Sequence, residues 1–340
     1  MANGFDGASP HRRRAVARGT LLAAGVLLAA AGVVAVTGAT NATGWRLVGW
    51  NNLGMHCMDG QFGVFAILPP YNTVEAQLVD ASGHLVKSPV DVTVTYQAVA
   101  DPGGSINTTS AGKTDFWDNV VALFGAGPPV DTGLAGASMP GTANVPQPMA
   151  FDASQNLFQA TGIPVTPYDD AHQKNYYPMM RLTARDSSGA VLATTDVVLP
   201  VSDEMDCSAC HASGSGPAAK PAAGWVNDPD PQRDFRLNVL RKHDDVWLGS
   251  TTYASALAAK GYNGAGLYDT VVQNGKPILC AACHGSEALG AGSYPGVPPL
   301  TQSMHALHAT VTDPTNGLTL EASTNRSACY RCHPGSTTRC

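Results

Sequence analysis

Six of the eight cysteines fall into one spacing: Cys207-Ser-Ala-Cys210-His211, Cys280-Ala-Ala-Cys283-His284 and Cys329-Tyr-Arg-Cys332-His333. Two thiols separated by two residues and followed at once by an imidazole form the attachment pattern of c-type haem. Each thiol adds to one vinyl group of the porphyrin, and two intervening residues let both sulfurs reach the same macrocycle edge. The next residue, His211, His284 or His333, then lies under the iron as proximal ligand. With 8 cysteines and 10 histidines in 340 residues, chance supplies about 0.005 such matches. A disulfide framework suits an exported chain but does not demand a His after every pair, and zinc ribbons do not demand it either. Three covalent haem c groups are the expectation.

The sixth ligands decide what such irons do. Two strong axial ligands make an electron carrier, whereas an open face binds a small molecule. Outside the motifs, His11 sits in a leader-like segment, His84 in an Asp80–Gly83 turn and His172 in a polar loop. His243 shares a predicted helical face with Phe235, Val239, Val246 and Trp247. His305 and His308 follow Pro298-Pro299 and a Thr301 or Ser303 cap. Met304, Leu307, His308 and Val311 repeat at helical spacing there, so one face should be buried. His243, His305 and His308 match the motifs in number, and bis-histidine ligation throughout is the simplest assignment. Met205 or Met304 could replace one of them, although methionine is more often packing.

The three motifs resemble those of multihaem c-type cytochromes over residues 201–340. Upstream, Asn51-Asn52-Leu53-Gly54-Met55-His56-Cys57-Met58-Asp59, with Val64–Asn72 following, looks like the front of larger exported multihaem cytochromes of anaerobic, metal-respiring-type bacteria. That resemblance implies electron transfer outside the inner membrane and names no substrate. Cys57 and Cys340 are the two cysteines outside the motifs. A disulfide between them, haem ligation by His56, and a metal site at His56 are all open. One reading of the abrupt stop at Cys340 is a piece of a longer cytochrome with further haems.

The elements that must position these groups come in two kinds. Residues 92–98 alternate as a half-buried strand does, and 177–185 with 190–199 flank Asp186-Ser187-Ser188-Gly189 as a hairpin. Residues 74–79 and 85–87 flank Asp80-Ala81-Ser82-Gly83 similarly. A short helix is predicted over 115–124, and long Gly/Pro loops lie between. The fold class is therefore mixed: a β-sandwich-like domain over 40–200, then a loop-rich multihaem cytochrome c domain with short helices over 201–340.

The first 39 residues read as a signal peptide: a cationic stretch at 11–18, an uncharged apolar run from Thr20, and small residues at Thr37-Gly38-Ala39. An uncleaved anchor is the alternative. Removing them takes away four Arg and one Asp and leaves 16 basic and 25 acidic residues, net −9. An acidic exported protein offers no basic patch for nucleic acid. The expected location is the periplasm or the cell surface. The expected partners are redox proteins, other cytochromes or an extracellular electron acceptor, with self-assembly left open. Two rival functions are a multihaem reductase or oxidase with one open haem, and a docking component of an extracellular cytochrome assembly.

Overall fold

The computed structural model describes residues 44–125, 127–203, 205–286 and 289–333. The leader-like segment and Cys340 lie outside the described residues. All described residues belong to one compact unit, Ala39–Cys340. The architecture is mixed, with a strand-rich N-terminal region and a more helical C-terminal region. Among the described residues no helix is long and apolar enough to cross a membrane.

Two antiparallel four-stranded sheets build the first region. One runs β1 (Arg46–Asn51), β4 (Asn72–Val79), β8 (Leu157–Ile163), β7 (Ala150–Asp152). The other runs β10 (Val191–Val198), β9 (Met179–Asp186), β5 (Val92–Val99), β6 (Gln147–Pro148). The alternation read at 92–98 is the inward row Val94, Tyr96 and Ala98, which meets Leu47, Val74, Leu78 and Phe158 of the other sheet in one core. Gly49 sits where the sheets approach most closely, because a Cβ there would lie 2.4 Å from Leu182 Cδ1 and 2.7 Å from Val197 Cγ1. The hairpin turns on Asp186, whose Oδ1 accepts from the backbone N–H groups of Ser188 and Ala190, both at 2.9 Å. The predicted helix is α1 (Phe116–Phe124). The second arm at 85–87 is not a strand: past the turn, only the single bridge Val79↔Leu85 is formed.

Among the described residues five α-helices follow: α2 (Ser208–His211), α3 (Pro231–Trp247), α4 (Thr251–Ala259), α5 (Leu267–Asn274) and α6 (Leu300–His308). Helix α3 starts at Pro231 behind Asp230, whose carboxylate accepts from Gln232 N at 2.9 Å. Asp244 of α3 caps α5, accepting from Leu267 N and Tyr268 N at 2.9 Å each. Gly266 leaves room for that carboxylate, since a Cβ there would meet it at 2.5 Å. Turning Asp244 inward displaces the apolar face predicted for α3: Val246 and Trp247 are exposed, while Leu237 and Leu240 are buried.

The two regions are stitched by two short parallel pairs. β2 (His56–Cys57) joins β11 (Val201–Ser202), and β3 (Phe65–Ala66) joins β12 (Ile278–Leu279). The second pair carries Val64, Phe65 and Ile67 into a core made with Leu237, Leu240, Leu257 and Val271.

Candidate functional site

Each of the three motifs folds into the same single turn. Cys210 N and His211 N both donate to Cys207 O, at 3.3 and 3.0 Å. Cys283 N and His284 N donate to Cys280 O at 3.2 and 3.0 Å, and Cys332 N and His333 N to Cys329 O at 3.3 and 2.9 Å. A helical turn stacks positions i, i+3 and i+4 on one face. Both sulfurs and the imidazole of each motif therefore share a side. The six motif cysteines are free thiols. Burial pushes the Cys207 thiol up to about 12 and raises Cys210, Cys280, Cys283 and Cys332 as well, so these sulfurs are neutral. Among the described residues no three His, Cys, Asp or Glu side chains converge as a bare metal ion requires.

Two motif histidines face non-motif histidines. The rings of His211 and His308 lie 6.3 Å apart, centre to centre, with planes at 72°. Those of His284 and His243 lie 6.4 Å apart at 89°. Two imidazoles that share one metal, each nitrogen about 2 Å from it, hold their ring centres roughly 6.3 Å apart. Both pairs have the separation that an axial pair needs, and the residues fit haem c at these two positions.

The surroundings orient these rings. His308 Nδ1 bonds Met304 O at 2.6 Å, and His284 Nδ1 lies 3.0 Å from both Pro298 O and Ser303 Oγ. A ring whose Nδ1 is tied to oxygen presents Nε2 as the free donor. Burial lowers His211 to about 4, and burial followed by His284 lowers His243 to about 4, which keeps both imidazoles neutral and able to ligate. The Nδ1 atoms of His211 and His243 are buried without a hydrogen-bond partner. Tyr253 packs on His243 with ring centres 5.2 Å apart and donates to Asp244 Oδ1 at 2.5 Å. Asp234 of α3 accepts from Ser213 N at 2.7 Å and Ser213 Oγ at 2.6 Å, which fixes the exit of the first motif on the helix that carries His243.

Helix α6 departs from its predicted form. Neither Thr301 nor Ser303 caps it; Pro299 stands at the cap and Ser303 turns to His284 instead. Leu307 is exposed rather than buried, while His308 is half-buried. His305 is exposed, tied by Nδ1 to Thr301 O at 2.8 Å, and faces a cleft of about 860 Å³ shared with Gly285, Ser293 and Gln302. It is not brought against a motif histidine.

The third motif packs beside the first, with Asp206 N donating to Cys332 O at 3.2 Å and Arg331 Nε bonding Asp313 Oδ2 at 3.0 Å. His333 and Cys329 are exposed, and among the described residues no second imidazole pairs with His333. His56 is buried, its Nε2 has no hydrogen-bond partner, and burial lowers it to about 4. Ser303 serves His284 rather than the cap the sequence suggests, and Tyr253 and Asp234 carry no local signature that sequence reasoning could find.

Neither protein-family models nor curated protein sequences give a match to this chain.

Proposed function

We propose that the chain is an exported c-type cytochrome that carries three haems covalently and passes single electrons outside the inner membrane. Haem c, when bound, supplies an iron that gains and loses one electron. The observation that carries the reading is the separation of His211 from His308 and of His284 from His243, 6.3 and 6.4 Å, each joining a motif imidazole to one from another helix. With haem c bound at these positions, His308 would serve beside His211 and His243 beside His284 as the second imidazole, which would leave no place for substrate and would keep the ligands the same as charge moves. Residues 201–340 are read as the multihaem cytochrome c domain and 40–200 as the β-rich region that shields and positions it. Suitable partners are redox proteins, other cytochromes or an external acceptor.

Exported protein should retain its haem through acid–acetone extraction, and its intact mass should carry three haem additions. Release of the haem, or fewer than three additions, overturns the reading.

His333 favours a second reading for the third position. Its exposed imidazole has no partner ring among the described residues, which suits a reductase or oxidase with one open haem. Carbon monoxide binding to one haem in three of the reduced protein would support it; a wholly low-spin, unreactive protein would reject it.

A further inference from the structure

The loop between β2 and β3 brings a carboxylate into the interior beside two motifs. Asp59 is 3% exposed. Its Oδ2 accepts from Ile67 N at 2.7 Å and Leu68 N at 2.8 Å, and its own N–H donates to Leu68 O at 2.9 Å. It lies within electrostatic reach of Cys207 and of Cys280, the first sulfurs of two different motifs. The charged groups that face it are Arg236 of α3 and Asp115 at the cap of α1. Asp115 is itself occupied by Phe62 N and Gly63 N, at 2.8 and 3.0 Å. Arg236 is buried, spends Nη1 on Gln232, and leaves Nε without a hydrogen-bond partner. Asp59 and Arg236 thus form no hydrogen bond to each other, and both backbone donors to Asp59 fall on Oδ2.

Resting on the reading that Cys207 and Cys280 carry haem, we infer that Asp59 is a proton-accepting site coupled to electron arrival at the first two motifs. An added electron makes either neighbourhood more negative by one charge. In a water-excluding interior that raises the cost of the Asp59 carboxylate. One proton from solvent then bonds to Asp59 Oδ1 as a one-electron donor supplies the electron, so the local charge is unchanged. Coupling of two binding events is reciprocal, so protonation of Asp59 in turn raises the electron affinity of both sites. Burial is the largest influence on Asp59 and pushes it up to about 6, against the pull of Leu68 N–H and Arg236. Thioether formation removes the two thiols as titrating neighbours, leaving Arg236 and Asp115. Both hydrogen bonds to Asp59 fall on one oxygen, so an asparagine can keep them.

The test is a spectroelectrochemical titration of the full, haem-loaded protein with dithionite as reductant, from about pH 5 to 8. In the wild type the potentials should fall as pH rises, by up to about 59 mV per pH unit, the value for one proton per electron. D59N should flatten that dependence while retaining three haems. Arg236→Gln removes the cation that holds the carboxylate down and should move the sloping window to higher pH; it reports even if D59N fails to fold. Flat wild-type potentials, an unchanged slope in D59N, or an unmoved window in R236Q overturn the inference alone. Absence of covalent haem overturns the reading beneath it as well.

Discussion

His243 and His284 face each other across 6.4 Å with their ring planes at 89°. One comes from the C-terminal part of α3 and the other closes the second motif, 41 residues later in the chain. Perpendicular imidazoles on one haem iron would leave its dπ orbitals nearly degenerate, which spreads low-spin g values widely. If the proposed haems are bound, the oxidised protein should show strongly anisotropic low-spin resonances, with a large gmax, from the His284 site and from the His211 site at 72°. Electron paramagnetic resonance of frozen protein checks this. Only compact rhombic signals would reject both pairs.

Single substitutions separate the paired histidines from the unpaired one. His243→Ala and His308→Ala should each turn one haem of three high-spin and open it to carbon monoxide, with covalent attachment intact. His305→Ala should leave the His211 and His284 sites low-spin. Loss of a low-spin haem at either site in the 305 variant would mean that the α6 turn presents a different imidazole.

Gly49 sets how closely the sheets approach. Gly49→Ala would place a methyl group 2.4 Å from Leu182 Cδ1, and overpacking of this kind costs about 2 kcal/mol. Urea unfolding should show a lowered midpoint at unchanged slope. A wild-type midpoint would show that the sheets can part there without cost.

Asp234 ties the first motif to α3 through Ser213 N and Oγ and also accepts from Asp228 N at 2.9 Å. Removing a buried acceptor of several hydrogen bonds costs about 3 kcal/mol. Asp234→Ala should lose about that much in urea and should broaden the spectrum of the first haem, since Ser213 follows His211 by two residues. An unchanged spectrum would show that α2 is positioned by the haem alone.

Asp59 predicts an unusual pH dependence of stability. Burial raises its carboxyl from the ordinary 3.8 to about 6, so the folded chain binds this proton more tightly than the unfolded chain does. The cost of the buried charge is absent below 3.8, grows as pH rises, and is fully present above about 6, where it amounts to about 3 kcal/mol. The difference in unfolding free energy between wild type and D59N should change across that window, with the wild type losing stability as pH rises. A constant difference would place the Asp59 titration elsewhere.

What the sequence makes legible follows from how local the cause is. Cys207, Cys210 and His211 announce their turn because i, i+3 and i+4 coincide on any helical face, and the other two motifs repeat it. The row Val94, Tyr96 and Ala98 is legible because strand alternation is local, and α1 because its apolar face, Phe116, Val120 and Leu123, repeats at helical spacing within one short stretch. His243 and His308 could be singled out as ligands by type and spacing, yet nothing local separated His308 from His305; the tie of His284 to Ser303 and Pro298 fixes how α6 lies. The predicted face of α3 failed because Asp244 caps a helix 23 residues further on. Asp59 has no local signature of its own, because its surroundings depend on the pairing of β3 with β12, two residues each and about 210 residues apart.

That pairing also fixes an order of events. A chain made amino end first presents Phe65 and Ala66 long before Ile278 and Leu279 arrive to receive them. Until then Val64, Phe65 and Ile67 lack the partners that cover them in the second core. Cys280 follows immediately after β12, so the same closure that shelters this apolar patch draws the second motif inward beside Asp59. On the proposed reading that this motif carries haem, loading at Cys280 and Cys283 would come before the closure, while the second motif still stands apart from the N-terminal segment that covers it.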